Sequence, residues 1–205
     1  RKNNKVIMKK TALVAMIGAA TLLCSCFFST QQKDNAPYDP PVNLESYQGL
    51  WFQVAGDPTR FQKPCIASAI EYRLCHNKNG VPYLKITDTC ITSKQDFPEV
   101  NSIGRVYDHG YNRRLAVNIG FFGTLKGLTQ RYNYVIYYVS PDYTEAIVCS
   151  PNKKYIRILA RTPFISSGKE KKLMDIAKSF DIDVLKLQKD SWNESLYEKI
   201  KDRPK

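Results

Sequence analysis

Residues 51–161 form a series of short segments in which apolar and polar residues alternate, and turn-forming residues separate the segments. Alternation with a period of two is typical of β-strands that are buried on one face. Eight sequential antiparallel strands close into an up-and-down barrel, whose interior either fills with side chains or holds one small ligand. The pattern therefore predicts an all-β fold, an eight-stranded antiparallel up-and-down β-barrel. The predicted strands are residues 51–56, 68–75, 83–91, 102–108, 115–119, 132–139, 146–149 and 155–161.

After residue 163 the hydrophobic period changes from two residues to about 3.6, because apolar residues recur at Leu173, Met174 and Ala177. This spacing is typical of an amphipathic helix. Its polar face carries charges of both signs, which favours a helix packed on the barrel over a free membrane helix. We expect residues 43–187 to form the barrel with a C-terminal α-helix packed outside it. Residues 188–205 are predicted to be a charged C-terminal tail, in which Trp192 and Tyr197 either dock or fray.

The N-terminal segment combines a basic start at Met8, a mainly apolar run to Leu23 and a small-residue exit. This combination is typical of an export signal, and the apolar run is short for a permanent membrane span, which needs about 20 residues. The exit resembles the lipobox of bacterial lipoproteins, with Cys26 as the lipid-attachment residue. Phe27 beside it implies, by the same resemblance, sorting to the outer membrane. We therefore predict a signal at 1–26 and a proline-containing tether at 27–42; an ordinary signal cut near Ser29 is the alternative.

The charge of the chain does not indicate a nucleic-acid-binding protein. Residues 1–25 hold five of the 31 basic residues and none of the 19 acidic ones, so the remainder carries a net charge of +7. These Lys and Arg residues are scattered through alternating strands and do not cluster on one stripe. The pattern favours solubility and attraction to an anionic membrane surface, and no nucleic-acid partner is expected.

Three short motifs resemble the structurally preserved regions of the lipocalin family. They are Gly49-Leu50-Trp51 at the first strand, Pro141-Asp142-Tyr143 in the turn before the seventh strand, and Arg161 at the end of the last strand. Residues 134–163 resemble the bacterial outer-membrane lipoprotein subgroup, and the segment 121–123 fits its pattern. The resemblance covers residues 42–187. It implies that Gly49, Trp51, Asp142, Tyr143 and Arg161 are structural, with the guanidinium lying over the indole that closes the base.

The resemblance also implies the function. We expect binding, storage or transport of a fatty acid, a lysophospholipid or another hydrophobic small molecule, without catalytic residues or cofactors. The protein is expected to be a monomer or homodimer, attached to the outer membrane by its lipid anchor, with the barrel facing the periplasm. Two alternatives stay open, namely a lipid-modifying enzyme that uses a barrel cysteine and a structural envelope lipoprotein.

Strand alternation gives a candidate ligand pocket once a phase is chosen for each strand. Arg157 is the ambiguous residue. Simple patterning turns Ile156 and Ile158 inward, whereas an inward Arg161 turns Arg157 inward too, where it needs a partner such as a ligand carboxylate or phosphate. The predicted pocket residues are Ile70, Tyr72, Leu84, Ile86, Val117, Ile119, Tyr134, Ile136, Tyr138, Arg157 and Leu159.

Four cysteines follow Cys26, and an even number in an exported domain suggests disulfides. Three pairings of Cys65, Cys75, Cys90 and Cys149 are possible. If the second and third strands form a hairpin, Cys65 and Cys90 fall on nearly facing rows, which weakly favours that pair. The enzymatic alternative would use Cys65, Cys90 or Cys149 as a nucleophile, but both histidines lie in predicted loops, away from a base position. Two histidines and scattered acids give no metal-ligand spacing.

Overall fold

The computed structural model describes residues 40–119 and 131–203, and in this part of the chain nine β-strands form one antiparallel sheet. Strands β2 to β8 follow one another in chain order across the sheet, and β1 pairs with both β8 and β2. The sheet therefore closes, and the predicted eight-stranded up-and-down barrel is confirmed. The strands are β1 Gly49–Gly56, β2 Cys65–His76, β3 Pro82–Thr92, β4 Glu99–Val106, β5 Arg114–Ile119, β6 Tyr134–Val139, β7 Glu145–Cys149, β8 Ile156–Ala160 and β9 Gln188–Lys189.

The first strand closes the barrel by changing partner along its length. Its first half pairs with β2, with Trp51 opposite Ile70, and its second half pairs with β8, with Phe52 opposite Ala160. A register shift follows Gln53 on the β8 side. The predicted signal segment with Cys26, most of the tether and the segment 121–123 lie outside the described residues.

The two ends of the barrel differ in how they are covered. At one end, here called the closed end, the one-turn helix α1 (Leu44–Tyr47) lies beneath the strands, and Asn43 caps it by accepting the backbone N–H groups of Glu45 and Ser46. The connections 77–81, 107–113 and 140–144 lie at this end. The connections 57–64, 93–98 and 150–155 lie at the other, open end.

Alternation along the strands separates an inner core from an outer one. The inner cluster is apolar and fills the closed half of the barrel, and its residues come from α1 and all the barrel strands. Its buried members are Val42, Leu44, Tyr47, Trp51, Ile70, Tyr72, Leu84, Ile86, Val106, Leu115, Ile136, Ala146, Val148 and Leu159.

Helix α2 (Ser167–Ser179) is the predicted helix, and it packs on the outer wall with Leu173 and Ala177 buried. Ser166 caps it by accepting the N–H of Lys169. The wall beneath it includes Ile156 and Ile158, which face outward and are covered by the helix. Among the described residues no helix is long and apolar enough to cross a membrane.

The segment expected to be a charged tail is instead part of the folded domain. Strand β9 pairs with the end of β1, and helix α3 (Glu194–Lys201) buries Leu196 and Ile200 against the outer wall at Phe52. The indole N–H of Trp192 donates to the Gln53 carbonyl at 2.7 Å. An apolar spacing of four residues in a short helix is enough to dock it, so the domain extends through residue 201.

A disulfide between Cys65 and Cys90 joins β2 to β3 near the open end. This is the pair that the facing rows favoured. Cys75 and Cys149 are free. The compact unit spans residues 36–205. It contains the closed sheet, all three described core clusters and the disulfide, so it is a complete folding unit.

Candidate functional site

The open half of the barrel contains a cavity of about 600 Å3 that reaches the surface between the open-end connections. This volume lies within the range of small-molecule sites, roughly 300–1,000 Å3. The surface of its wall is mainly apolar, with aliphatic and tyrosine side chains, and polar groups lie at the mouth and the floor. The aliphatic lining residues are Ile70, Ile86, Val100, Val117 and Val148.

Tyr72 and Tyr134 form the floor of the cavity, and Tyr47 is buried beside them. The hydroxyls of Tyr72 and Tyr134 lie 2.5 Å apart, and that of Tyr47 lies 3.5 Å from Tyr134. Burial raises the pKa of Tyr47 to about 12 and the pKa values of Tyr72 and Tyr134 well above the usual 10. The three side chains therefore stay protonated and neutral, and they satisfy one another's hydroxyl groups without a charge.

An ion pair lies at the mouth. Arg157 donates through Nη1 and Nη2 to the two carboxylate oxygens of Asp88 at 2.5 and 3.2 Å, and through Nε to Gln53 Oε1 at 2.6 Å. The Arg157 side chain is 11% exposed and that of Asp88 is 24% exposed. Bidentate pairing of this kind fixes both groups and compensates for their removal from water.

The polar chain continues through the barrel wall to Asp190. Gln53 Nε2 donates to Asp190 Oδ1 at 2.8 Å, and the Ser68 backbone N–H donates to Oδ2 at 2.7 Å. The Asp190 side chain enters the barrel wall at the level where β1 no longer pairs with β2 and β9 lies beside β1. Burial raises the pKa of Asp190 to about 6, against the lowering effect of these hydrogen bonds.

The closed end is stoppered by Trp51 and Arg161. The Trp51 side chain is completely buried, and its Nε1 donates to the Tyr47 carbonyl at 2.8 Å. The Arg161 guanidinium carbon lies 3.8 Å from the centre of an indole ring. Its N–H groups donate to the carbonyls of Ser46, Tyr47, Gln48, Leu50 and Tyr143.

Gly49 is required beside this stopper. Its φ is +101°, a left-handed conformation that disfavours side chains, and a Cβ there would lie 3.2 Å from Nη1 of Arg161. Tyr143 also contributes, since its hydroxyl accepts the Asn43 N–H at 2.8 Å. Asp142 accepts from Ser140 and Thr144 in the β6–β7 turn, and these hydrogen bonds lower its pKa to about 2. All five motif residues thus lie at the closed end, away from the cavity.

The structure brings many of the predicted pocket residues together, and separates others. Leu84, Ile136 and Leu159 belong to the inner cluster below the cavity. Ile119 ends β5, and its side chain lies outside the described part. The predicted residues that line the cavity are Ile70, Tyr72, Ile86, Val117, Tyr134 and Arg157.

The predicted inward orientation of Tyr138 is wrong. Tyr138 packs with the outer cluster under α2. Ile136 and Tyr138 would share a face in a regular strand, but the β6–β7 pairing shifts register between these two residues. The bulge inserts one residue, and the strand reverses its phase there.

The orientation of Arg157 follows the second of the two readings, in which β8 turns its arginines inward. The partner that this reading required is Asp88 of the protein itself. Sequence reasoning missed Asp88, although a signal was present, because Asp88 shares the phase of Leu84 and Ile86 on β3. When an acid on one strand and an arginine on another both face the barrel interior, an ion pair between them is indicated. Gln53 shares the inward phase of Trp51 on β1 and carried the same signal, whereas Asp190 had none.

Comparisons with known proteins agree with this geometry. The family model described as a lipocalin-like domain matches residues 42–191. Temperature-induced lipocalin-1 of Arabidopsis thaliana is 28% identical over 149 residues, which is 72% of this chain and 78% of that protein. The outer membrane lipoprotein Blc of Escherichia coli K12 is 26% identical over 179 residues, 87% of this chain and 95% of that protein. The solved structure of lobster apocrustacyanin A1 superposes with a TM-score of 0.53 at 21% identity, covering 75% and 81% of the two chains, which supports the fold alone.

Proposed function

The chain belongs to the lipocalin family, and from this membership we propose that it binds fatty acids, lysophospholipids or similar small apolar molecules at the bacterial outer membrane, for storage or transport. The observation that carries the proposal is the cavity of about 600 Å3 with a mainly apolar wall and an open mouth among the described residues. An apolar chain that enters it leaves water without meeting an unpaired charge.

Burial of the acyl chain supplies the affinity. Each methylene removed from water contributes about 0.8 kcal/mol, so ten buried methylenes contribute about 8 kcal/mol. Association costs several kcal/mol of lost translational and rotational freedom. A long chain therefore binds usefully, whereas a short one does not.

The ion pair at the mouth supports a preference among head groups. Arg157 uses Nε and both terminal nitrogens for Asp88 and Gln53, and of its five N–H groups two remain for a ligand anion. A free carboxylate placed there also meets the carboxylate of Asp88. A head group with a phosphate and an ammonium offers one charge to each partner, so we propose that a zwitterionic lysophospholipid is preferred to a free fatty acid.

The proposed location rests on the named relatives and on the disulfide. Blc of Escherichia coli is named an outer membrane lipoprotein. The disulfide between Cys65 and Cys90 fits an oxidising compartment such as the periplasm. We propose that the domain is attached through a lipid on Cys26, faces the periplasm, and acts as a monomer or homodimer. Acyl labelling that is lost in Cys26→Ser would support the anchor, and labelling that persists would contradict it.

The enzymatic alternative has weak support. Cys65 and Cys90 are joined in the disulfide, so neither is a thiolate nucleophile. Burial raises the pKa of the Cys149 thiol to about 12, which leaves almost no thiolate at neutral pH. We therefore propose binding without chemical change of the ligand.

The proposal is tested with residues 36–205. Organic extraction and mass spectrometry of the purified domain should identify a bound lipid, and titration should show displacement of a fluorescent fatty acid by lysophosphatidylethanolamine. Absence of both would instead support a purely structural protein. Asp88→Asn should strengthen fatty-acid binding several-fold and weaken lysophospholipid binding. Arg157→Leu should weaken both, and Arg73→Leu on the outer face is the matched control, with no change expected.

A further inference from the structure

One outer wall of the barrel is covered by neither of the two described outer helices, α2 and α3. The cluster under α2 draws on β1 and β6–β8, and the cluster under α3 on β1–β3, but neither includes a residue of β4 or β5. Two adjoining surface grooves lie on this wall, with volumes of about 420 and 630 Å3, and both are lined by Ile103 and Arg105. The wall is therefore a continuous exposed surface from mid-barrel to the closed end.

This surface carries a concentration of positive charge. Arg73, Lys85 and Arg105 line the first groove, and Lys78 lines the second. Arg73 and Lys85 are direct cross-strand partners on β2 and β3. Like charges placed directly opposite each other destabilise a sheet. This cost on the folded state would be offset by an anionic surface bound against both residues.

The same surface also exposes apolar side chains. Seven large hydrophobic side chains are exposed among the described residues; two of them, Val81 and Ile103, line the grooves, and two more, Tyr107 and Tyr111, lie in the adjoining β4–β5 connection. Four of seven in this region form a patch, because a random scatter would divide them around the barrel. Tyrosine and aliphatic side chains interleaved with Lys and Arg are the composition of surfaces that lie in the lipid head-group region. We call these four residues and the four cations the basic face.

Among the described residues, two acids lie near the basic face, and neither pairs with Lys78 or Lys85. Glu71 lies 3.8 Å from Arg73 and offsets the charge of that residue. Asp108 is half-buried, and its Oδ1 accepts the backbone N–H groups of Arg113 and Arg114 in the β4–β5 connection. The charges of Lys78 and Lys85 oppose a second copy of this chain on the same wall, since the cations would face each other.

The N-terminal segment joins the domain at the edge of this face. The Val42 N–H donates to the Tyr111 carbonyl at 2.8 Å, and Arg113 donates to the Pro40 carbonyl. With the anchor proposed at Cys26, the chain enters the folded domain at the closed end, next to the basic face. This step depends on the membrane location proposed above.

From these observations we infer that the basic face docks on the surface of a bilayer that contains anionic phospholipids. In this orientation the barrel rests on the β3–β5 wall at its closed end. The cavity mouth then faces away from the bilayer, where it is free to exchange ligand with the aqueous space or with another carrier.

The test is co-sedimentation of residues 36–205 with vesicles of phosphatidylcholine alone or of phosphatidylcholine mixed with phosphatidylglycerol. Binding should occur to the anionic vesicles only. The double variant Lys78→Gln and Lys85→Gln should reduce it by roughly tenfold or more, as expected for two basic residues at an anionic surface. Lys63→Gln with Lys154→Gln removes the same charge at the open end and should leave binding within about twofold.

Two results would overturn the proposal. One is an equal loss of vesicle binding in the two double variants, because net charge alone would then explain binding. The other is a failure of the unmodified domain to bind anionic vesicles. The Ile103→Ser variant separates a folding defect from a docking defect. It should weaken vesicle binding while the thermal midpoint and the affinity for a fluorescent fatty acid in solution stay unchanged. If vesicle binding follows these expectations but no lipid enters the cavity, the docking inference stands and the proposed function fails; the reverse pattern removes docking and keeps the function.

Discussion

Two partly buried arginines, Arg157 in β8 and Arg161 directly after it, show how the two halves of one barrel differ. Arg161 donates to five backbone carbonyls and lies over Trp51 in the packed, closed half. Arg157, four residues earlier, binds the side chains of Asp88 and Gln53 at the edge of the cavity. Any sequence with this fold supplies the backbone carbonyls that Arg161 binds, whereas the partner of Arg157 exists only because residue 88 is an aspartate. The first arginine therefore serves the fold, and the second gives the site its chemistry.

Among the changes that test this difference between the two halves, Trp51→Ala is expected to lower the free energy of unfolding most. The indole is completely buried in the inner cluster, and its removal also leaves Arg161 without its stacking partner. Denaturant unfolding should show a loss of about 3–5 kcal/mol. Trp51→Phe should lose distinctly less. A loss in Trp51→Ala no larger than that in Trp192→Ala, on the outer wall, would show that the closed end is not the main source of stability.

Among the described residues the open half has no such stopper, and the disulfide links two of its strands. The double variant Cys65→Ser and Cys90→Ser releases a link across a sequence separation of 25 residues. The chain-entropy account gives a loss of about 3 kcal/mol in the free energy of unfolding. Cys75→Ser, which removes a free thiol, is the control and should change little. If both variants unfolded at the same denaturant concentration, the disulfide would not stabilise the open end.

A double-mutant cycle distinguishes the two arginines directly. Arg157→Leu leaves the Asp88 carboxylate without its partner and should cost about 2–3 kcal/mol of stability. Adding Asp88→Leu should restore most of this loss, because no unpaired charge then remains. Arg161→Leu should gain nothing from Asp88→Leu, since its partners are backbone carbonyls. Equal rescue of both arginine variants would mean that the two sites are not independent.

The last expected effect is the pH dependence from Asp190. Its folded-state pKa of about 6 lies above the ordinary 3.8, so ionisation costs more in the folded state. Stability from this group is complete below pH 4 and is lost as the pH rises through about 6, by about 2–3 kcal/mol. Asp190→Asn should abolish this decline in unfolding experiments across that range. A wild-type minus variant difference that stays constant with pH would contradict the assignment.

The sequence predicts the barrel well because alternation and turn residues are local signals. The eight strands, the outer helix and the facing rows of Cys65 and Cys90 all follow from them. Tyr138 was placed on the wrong face because a bulge is set by pairing with β7, which the strand's own residues do not show. Asp190 could not be assigned to the network from the sequence. Its position depends on the separation of β1 from β2, and both strands are distant from Asp190 in the chain.

The central claim is that one half of the barrel is packed and the other is hollow and accepts an apolar chain. Crystals of residues 36–205 grown with a fatty acid that carries bromine at its methyl end test this directly by anomalous diffraction. The bromine should lie inside the barrel near Val117 and Tyr134, above Trp51. A bromine site beneath α2 or α3, or an interior filled by side chains while the ligand binds elsewhere, would contradict the account.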